Sequence, residues 1–256
     1  MSRGLGDVYK RQYYNQLWKD SNFVLGEPVS EIKYVCRNVD IIMARLIKNE
    51  TVELFGKNAT VPFINGCDNS YHPCQILADA LTILEKFGTL DVNLMYIGAK
   101  NNVFNSHVEF FSKMKKGTLY GLTPLVNETA CGPDFYEEAK KSGHYIELDP
   151  AMSMEEAKEY ANKMDVLYTD TWVDMEFFNN PAYQKQKEET LAKMMPYQLN
   201  GDFTKDSKAI VFHDMPMHVG FEISQDVVDK NLDHILDEAE NRRHAEKAVM
   251  YTLLNS

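Results

Sequence analysis

An α/β fold on parallel sheets is what this sequence predicts, and three observations predict it. Short runs rich in β-branched and aliphatic residues recur along the chain, helical patterns lie between most of them, and polar clusters stand directly after the runs. Strands that alternate with helices are joined by crossovers, and crossovers make neighbouring strands parallel. In such sheets ligands gather beyond the carboxyl ends of the strands, so the polar clusters become the candidate site.

In chain order, residues 1–11 (MSRGLGDVYKR) come first; they lack periodicity and lead into no capped element. They read as a translated adaptor scar or a natural disordered tail, outside the fold. The runs DIIMARL (40–46) and VPFIN (61–65) predict strands. The clearest helix is HPCQILADALTILEKF (72–87), where Ile76, Ala80 and Leu84, with Leu77 and Leu81, recur at helical spacing. Pro73 suits its first turn and Gly88 its stop. Strands follow at VNLMYIG (92–98) and TLYGLT (118–123). Ser153 and Glu156 form a capping box ahead of Ala157, Tyr160 and Ala161, predicting a helix over 153–164. DVLYT (165–169) and AIVF (209–212) predict further strands, and a last helix is expected over 240–254 with Asp237 and Glu240 as its capping pair.

Composition narrows the function classes. A formal net charge of −11 with no Lys/Arg stripe argues against a nucleic-acid partner. No apolar run nears the roughly 20 residues of a membrane span, so no membrane partner is expected. The four cysteines (Cys36, Cys67, Cys74, Cys131) form no C-x-x-C pair, which suits reduced thiols in a cytoplasmic protein and speaks against structural zinc.

The clusters can be weighed one by one. His72 in YHPCQ opens a helix whose free N–H groups favour anions; it serves either as a cap or as a donor to a ligand. Gln75, one turn on, both donates and accepts, which suits a planar carbonyl-plus-NH2 group. GAKNNV (98–103) has one glycine where a dinucleotide loop needs three, and Asn101 and Asn102 read as helix caps or as ligand contacts. YTDTWVDME (168–176) carries Asp170, Asp174 and Glu176 around Trp172, an acidic turn that is not purely solvent-facing. Arg242 stands in the expected first turn of the last helix, against the dipole, which implies an anion for it to meet. His213, Asp214 and His218 in FHDMPMH raise the question of a metal hydrolase, but Pro216 prevents a helical histidine pair and no second ligand cluster accompanies them. No metal and no cofactor is expected.

Taken together, YHPCQ, the Asn pair after a strand, YTDTWVDM, H-x-x-P and EAENRRHAEKAV resemble the aspartate/ornithine carbamoyltransferase superfamily, nearest its ornithine branch, from about residue 25 to 254. The resemblance implies two parallel-sheet α/β domains: a carbamoyl-phosphate domain over 12–89, an amino-substrate domain over 90–238, and a final helix over 239–256 returning to the first. It implies a homotrimer acting in arginine biosynthesis that moves the carbamoyl group of carbamoyl phosphate to ornithine or a related amine. Arg45, His72, Gln75 and Arg242 would bind carbamoyl phosphate; Asn102, Asp170, Asp174, Met175, Asp214 and Met215 would hold the amino substrate. The catalytic group would be His72, Arg45 and Asp214, with His213 acting through its backbone.

This chain also departs from the family pattern. The S-x-R-T-R motif that holds phosphate in the family is not found within 1–30, so the chain is expected to be a truncated member with little activity by itself. Asp174, Glu176 and Asp214 stand where the ornithine enzymes have Ser, Gly and Cys. The added negative charge points to putrescine or another diamine as an alternative substrate. A non-catalytic binding protein on the same fold is the other alternative.

Overall fold

The computed structural model describes residues 27–173 and 178–255. The chain divides into two compact units, the first running to Asp68 and including the last residues from Val249, the second spanning Asn69–Ala248.

In the first unit the Glu27 carboxylate accepts from the Val29 and Ser30 amides and caps α1 (Pro28–Cys36), with proline in the first turn. Strands β1 (Ile42–Arg45) and β2 (Phe63–Cys67) pair in parallel across α2 (Asn49–Asn58), Ile42 opposite Phe63 and Ala44 opposite Asn65. The alternation of β1 buries Ile42 and Ala44 and exposes Met43 and Arg45. Ile32, Val35, Phe55 and those two inward residues form the small core.

The second unit begins with α3 (Pro73–Phe87), then β3 (Asn93–Lys100), α4 (Asn102–Met114), β4 (Thr118–Val126), α5 (Pro133–Lys140), β5 (Tyr145–Glu147), α6 (Met154–Ala161) and β6 (Val166–Thr169). After 178 come α7 (Gln184–Met194), the short α8 (Gly201–Thr204), β7 (Ile210–His213) and α9 (Gln225–Leu254). The strands form one five-stranded sheet in the order β5-β4-β3-β6-β7, and every pairing is parallel. β3 is buried along almost its whole length because both sheet faces are covered. Leu94, Tyr96, Phe104, Phe111, Tyr145 and Phe212 fill one face; Met95, Ile97, Leu167, Val211 and Val227 belong to the other.

Two glycines are fixed by this packing. Gly117 turns the chain at φ +66°, where a Cβ would lie 2.2 Å from the Val92 carbonyl oxygen. Gly121 in β4 leaves room for the Phe104 ring, whose Cζ would be 2.7 Å from an added Cβ.

The order reverses between β3 and β6, because the chain builds outward through β4 and β5 before returning to β6 and β7. Sheets of this kind bind ligands at such a switch point, here at the carboxyl ends of β3 and β6.

The last helix departs from the expectation. It starts at Gln225, fifteen residues before 240, and Asp237 lies inside it, paired with Lys86 rather than acting as a cap. The acidic pair that reads as a cap is a helix-face pair. Arg242 is therefore mid-helix, not in a first turn. Among the described residues no helix is long and apolar enough to cross a membrane.

Candidate active site

The amino end of α3 is the first component. Pro73 occupies the first turn, and His72 caps the helix, its Nδ1 accepting from the Gln75 amide at 3.3 Å. The cap is thus real, and it fixes the ring at the mouth of the helix. The His72 amide donates to Ser106 Oγ at 2.7 Å, and that hydroxyl donates to the Asn102 carbonyl at 2.9 Å. The amino ends of α3 and α4 are tied together through one serine.

Gln75 is buried and its carboxamide is fully directed. Nε2 donates to Asp79 Oδ1 at 2.8 Å and Glu238 Oε1 at 2.7 Å, with Tyr168 Oη at 3.3 Å. Oε1 accepts from Arg242 Nη2. An arginine has only donors, so the atom it meets must be the amide oxygen. The same Nη2 also meets Asp214 Oδ1, which is the anion that Arg242 was expected to have. Asp214 therefore engages a guanidinium rather than standing open to an incoming amine.

β7 delivers Asp214 by way of His213, which is fully buried. The His213 amide donates to Glu238 Oε2 at 2.9 Å, and its Nε2 lies 3.1 Å from Glu222 Oε1. Burial by itself would lower the imidazole's pKa; the Glu222 bond and charge, joined by the charges of Asp170 and Glu238, together outweigh it and raise it. The His218 ring stacks on Phe178 with centroids 3.6 Å apart. Among the described residues no group of His, Cys, Asp or Glu is arranged to hold a metal ion.

At the switch point, Asn101 caps α4 by accepting from the Phe104 amide at 2.9 Å and donates through Nδ2 to Asp170 Oδ2 at 2.7 Å. The Thr171 amide holds the other Asp170 oxygen at 2.6 Å. Burial, and then the charge of Asp214, push the Asp170 carboxyl up to about 7. Burial pushes Asp79 up to about 8 and Glu238 well above the ordinary carboxyl range.

His72, Gln75, Asn102, Asp170, Asp214 and Arg242 thus lie within one unit; short chains of hydrogen bonds link all but Asp170, which is held by Asn101, the residue before Asn102. Met215 is half-buried and packs against the second apolar cluster, so it shapes the wall behind Asp214. Arg45 closes β1 in the first unit and is exposed. Asp174 and Met175, with Glu176, lie outside the described residues. Asp79, Glu238, His107 and Tyr168 carry the network but are not among the expected site residues, whereas Asn101, read as a cap or a ligand contact, caps its helix. Asp79 follows Gln75 by four positions and Glu238 precedes Arg242 by four, so each shares a helical face with its partner. That spacing was the available signal. A guanidinium, a fixed amide oxygen and a helix mouth suit an anion carrying a planar amide, and the neighbouring carboxylates suit an ammonium.

Comparison with known proteins shows which family the chain matches. Residues 90–253 match the family model of the aspartate/ornithine carbamoyltransferase Asp/Orn binding domain, and residues 14–85 match that of the carbamoyl-P binding domain. The chain is 33% identical over 244 residues to ornithine carbamoyltransferase of Archaeoglobus fulgidus, covering 93% of this chain and 74% of that protein. It is 37% identical over 246 residues to the Pyrococcus horikoshii enzyme, covering 90% and 70%. The solved structure of ornithine carbamoyltransferase from Pyrococcus furiosus superposes with a TM-score of 0.76 at 33% identity, covering 91% of this chain and 72% of that one.

Proposed function

Because the chain belongs to the aspartate/ornithine carbamoyltransferase family, we propose that it transfers the carbamoyl group of carbamoyl phosphate to the side-chain amine of ornithine, giving citrulline and phosphate. The observation that carries this reading is the meeting of the Gln75 amide oxygen, the Arg242 guanidinium and the Asp214 carboxylate beside the mouth of α3.

In the proposed reaction the amine nitrogen attacks the carbonyl carbon, the C–N bond forms, the C–O bond to phosphate breaks, and the ammonium proton is lost before or during attack. Donors aimed at the developing oxyanion supply most of the acceleration. His72 takes that role, with Arg45 assigned to it by the family resemblance alone, Gln75 Oε1 accepts from the carbamoyl NH2, and Arg242 meets the phosphate. Arg242 must exchange Asp214 for phosphate to do so, and the freed carboxylate then faces the ammonium. Asn102, Asp170, Asp174, Met175 and Met215 line the amino-substrate side. On this reading 12–89 is the carbamoyl-phosphate segment, 90–238 the amino-substrate segment and 239–256 the closing helix. The family resemblance supports a cytoplasmic homotrimer working in arginine biosynthesis, with no cofactor in the chemistry.

A second reading, transfer to a diamine such as putrescine, is favoured by Asp214 itself, which adds an anion where the family has a neutral cysteine. Amine-dependent phosphate release, measured across ornithine, putrescine and aspartate with protein from the complete gene, tests both. Ornithine or putrescine should accelerate release, and aspartate should not. Release that no amine accelerates would reject the proposal.

A further inference from the structure

Beneath Gln75 lie groups that the proposed reaction does not touch. Asp79 Oδ2 and His107 Nε2 are 3.1 Å apart and both fully buried, and among the described residues neither has a hydrogen-bonding partner unless a proton lies between them. The other ring nitrogen, Nδ1, lies 2.9 Å from the Val103 carbonyl, which can only accept, so Nδ1 carries a hydrogen. A neutral ring then has a bare Nε2, and the proton in the gap must belong to Asp79.

We propose that Asp79 is a protonated positioning residue: it donates from Oδ2 to His107 Nε2, accepts from Gln75 through Oδ1, and so locks the Gln75 carboxamide with its oxygen turned toward the substrate. The inference rests on the carbamoyl phosphate reading, because it explains how the site tells a carbamoyl NH2 from a methyl group. A carboxamide can present its NH2 or its oxygen to a ligand, and only the oxygen accepts from NH2. Asp79 and Glu238 on one side and Arg242 on the other hold the productive orientation.

The electrostatics agree with this placement. Burial pushes the Asp79 carboxyl up to about 8 and the His107 ring down, so at neutral pH the acid is protonated and the ring uncharged. The groups around the pair are Glu238 and Arg242 from α9, Asp214 after β7, Asp170 and Tyr168 from β6 and its end, and Tyr96 from β3. The hydrogen bonds from Glu238 and Gln75 and the charge of Arg242 favour an ionised Asp79, but burial, joined by the charge of Asp214, outweighs them.

The test compares the affinities of carbamoyl phosphate and acetyl phosphate, which differ by NH2 against CH3. The unaltered protein should prefer carbamoyl phosphate by roughly tenfold or more, the worth of one buried hydrogen bond. Asp79→Asn places an NH2 where the acid proton was and should keep that preference; Asp79→Leu should bring it to about unity. The preference should fade above about pH 8 in the unaltered protein and persist in Asp79→Asn. Independently of any ligand, 15N NMR should show His107 as a neutral ring protonated at Nδ1. An Nε2-protonated or doubly protonated ring, or an Asp79→Asn variant as indiscriminate as Asp79→Leu, would overturn the proposal. A protein that binds neither ligand would instead remove the carbamoyl phosphate reading and leave the ring tautomer to decide the proton's place.

Discussion

On the proposed reading, substrate choice turns on Asp214, which pairs with Arg242 and would have to leave it to meet an ammonium. Its carboxylate favours a cationic amine and can accept the proton lost on attack, yet it also raises the amine's pKa. Asp214→Asn should therefore slow turnover on the native amine by roughly a hundredfold, the scale of losing a positioned base. Asp214→Cys should raise the preference for ornithine over putrescine; steady-state kinetics on both amines reads each effect. An Asn variant as active as the parent would show that the charge is idle. His72→Asn is the complementary probe, since asparagine also caps helices and preserves the fold. Turnover should fall about a hundredfold while the melting curve stays put, and no fall would reduce His72 to a cap. At this scale the sequence carried the polar residues that stand out against strands: His72, Gln75, Asp170 and Asp214 are legible because each follows an apolar run. Asp79 and His107 were not, because each sits inside an amphipathic helix where one polar residue looks like a solvated face. Only packing reveals that those faces are buried.

The helices and strands that carry these residues make their own predictions. Gly121→Ala would force the Phe104 ring to move, and Phe104 packs on Tyr96 and Tyr145. Overpacking of this kind costs about 1–3 kcal/mol, measurable by urea unfolding, and an unchanged midpoint would mean that the ring yields freely. The contact between α3 and α9 gives a pH signature. Asp79 has a pKa raised above its unfolded value, so the native state holds its proton more tightly than the unfolded chain does. That contribution is fully present below the ordinary carboxyl range and is lost as pH rises toward about 8. Asp79→Asn should flatten the decline of the melting temperature across that window; parallel curves for both proteins would place Asp79 as an ordinary ionised carboxylate. The parallel strands and the helix at 72–87 are legible from periodicity, and the observed bounds of α3 are Pro73–Phe87. The start of α9 was not, because its acidic pair at Asp237 and Glu240 imitates a cap within a helix that already runs from Gln225. β5 escaped because three residues are too few to show a period.

For the whole molecule, the sheet order creates the site: reversal between β3 and β6 brings Asn101 to Asp170, and β7 adds Asp214 on the same edge. A formal net charge of −11 gives no general attraction for a phosphate ligand, so anion binding must come from local donors such as Arg242 and the mouth of α3. The order of strands was not readable from the sequence, which shows that strands alternate with helices but not which edge each crossover takes. Sequence motifs supplied the chemistry instead, and the fold explains why they converge. The activity proposed for this edge is the joining of a carbamoyl group to an amine. The direct measurement follows 13C-labelled carbamoyl phosphate by NMR in the presence of the protein from the complete gene and ornithine or putrescine. A ureido carbon signal should grow only with protein and amine together, in step with phosphate release, and Arg242→Gln should suppress it. Label that decays at the same rate with and without protein, or a ureido signal that ignores the loss of Arg242, would contradict the proposed activity.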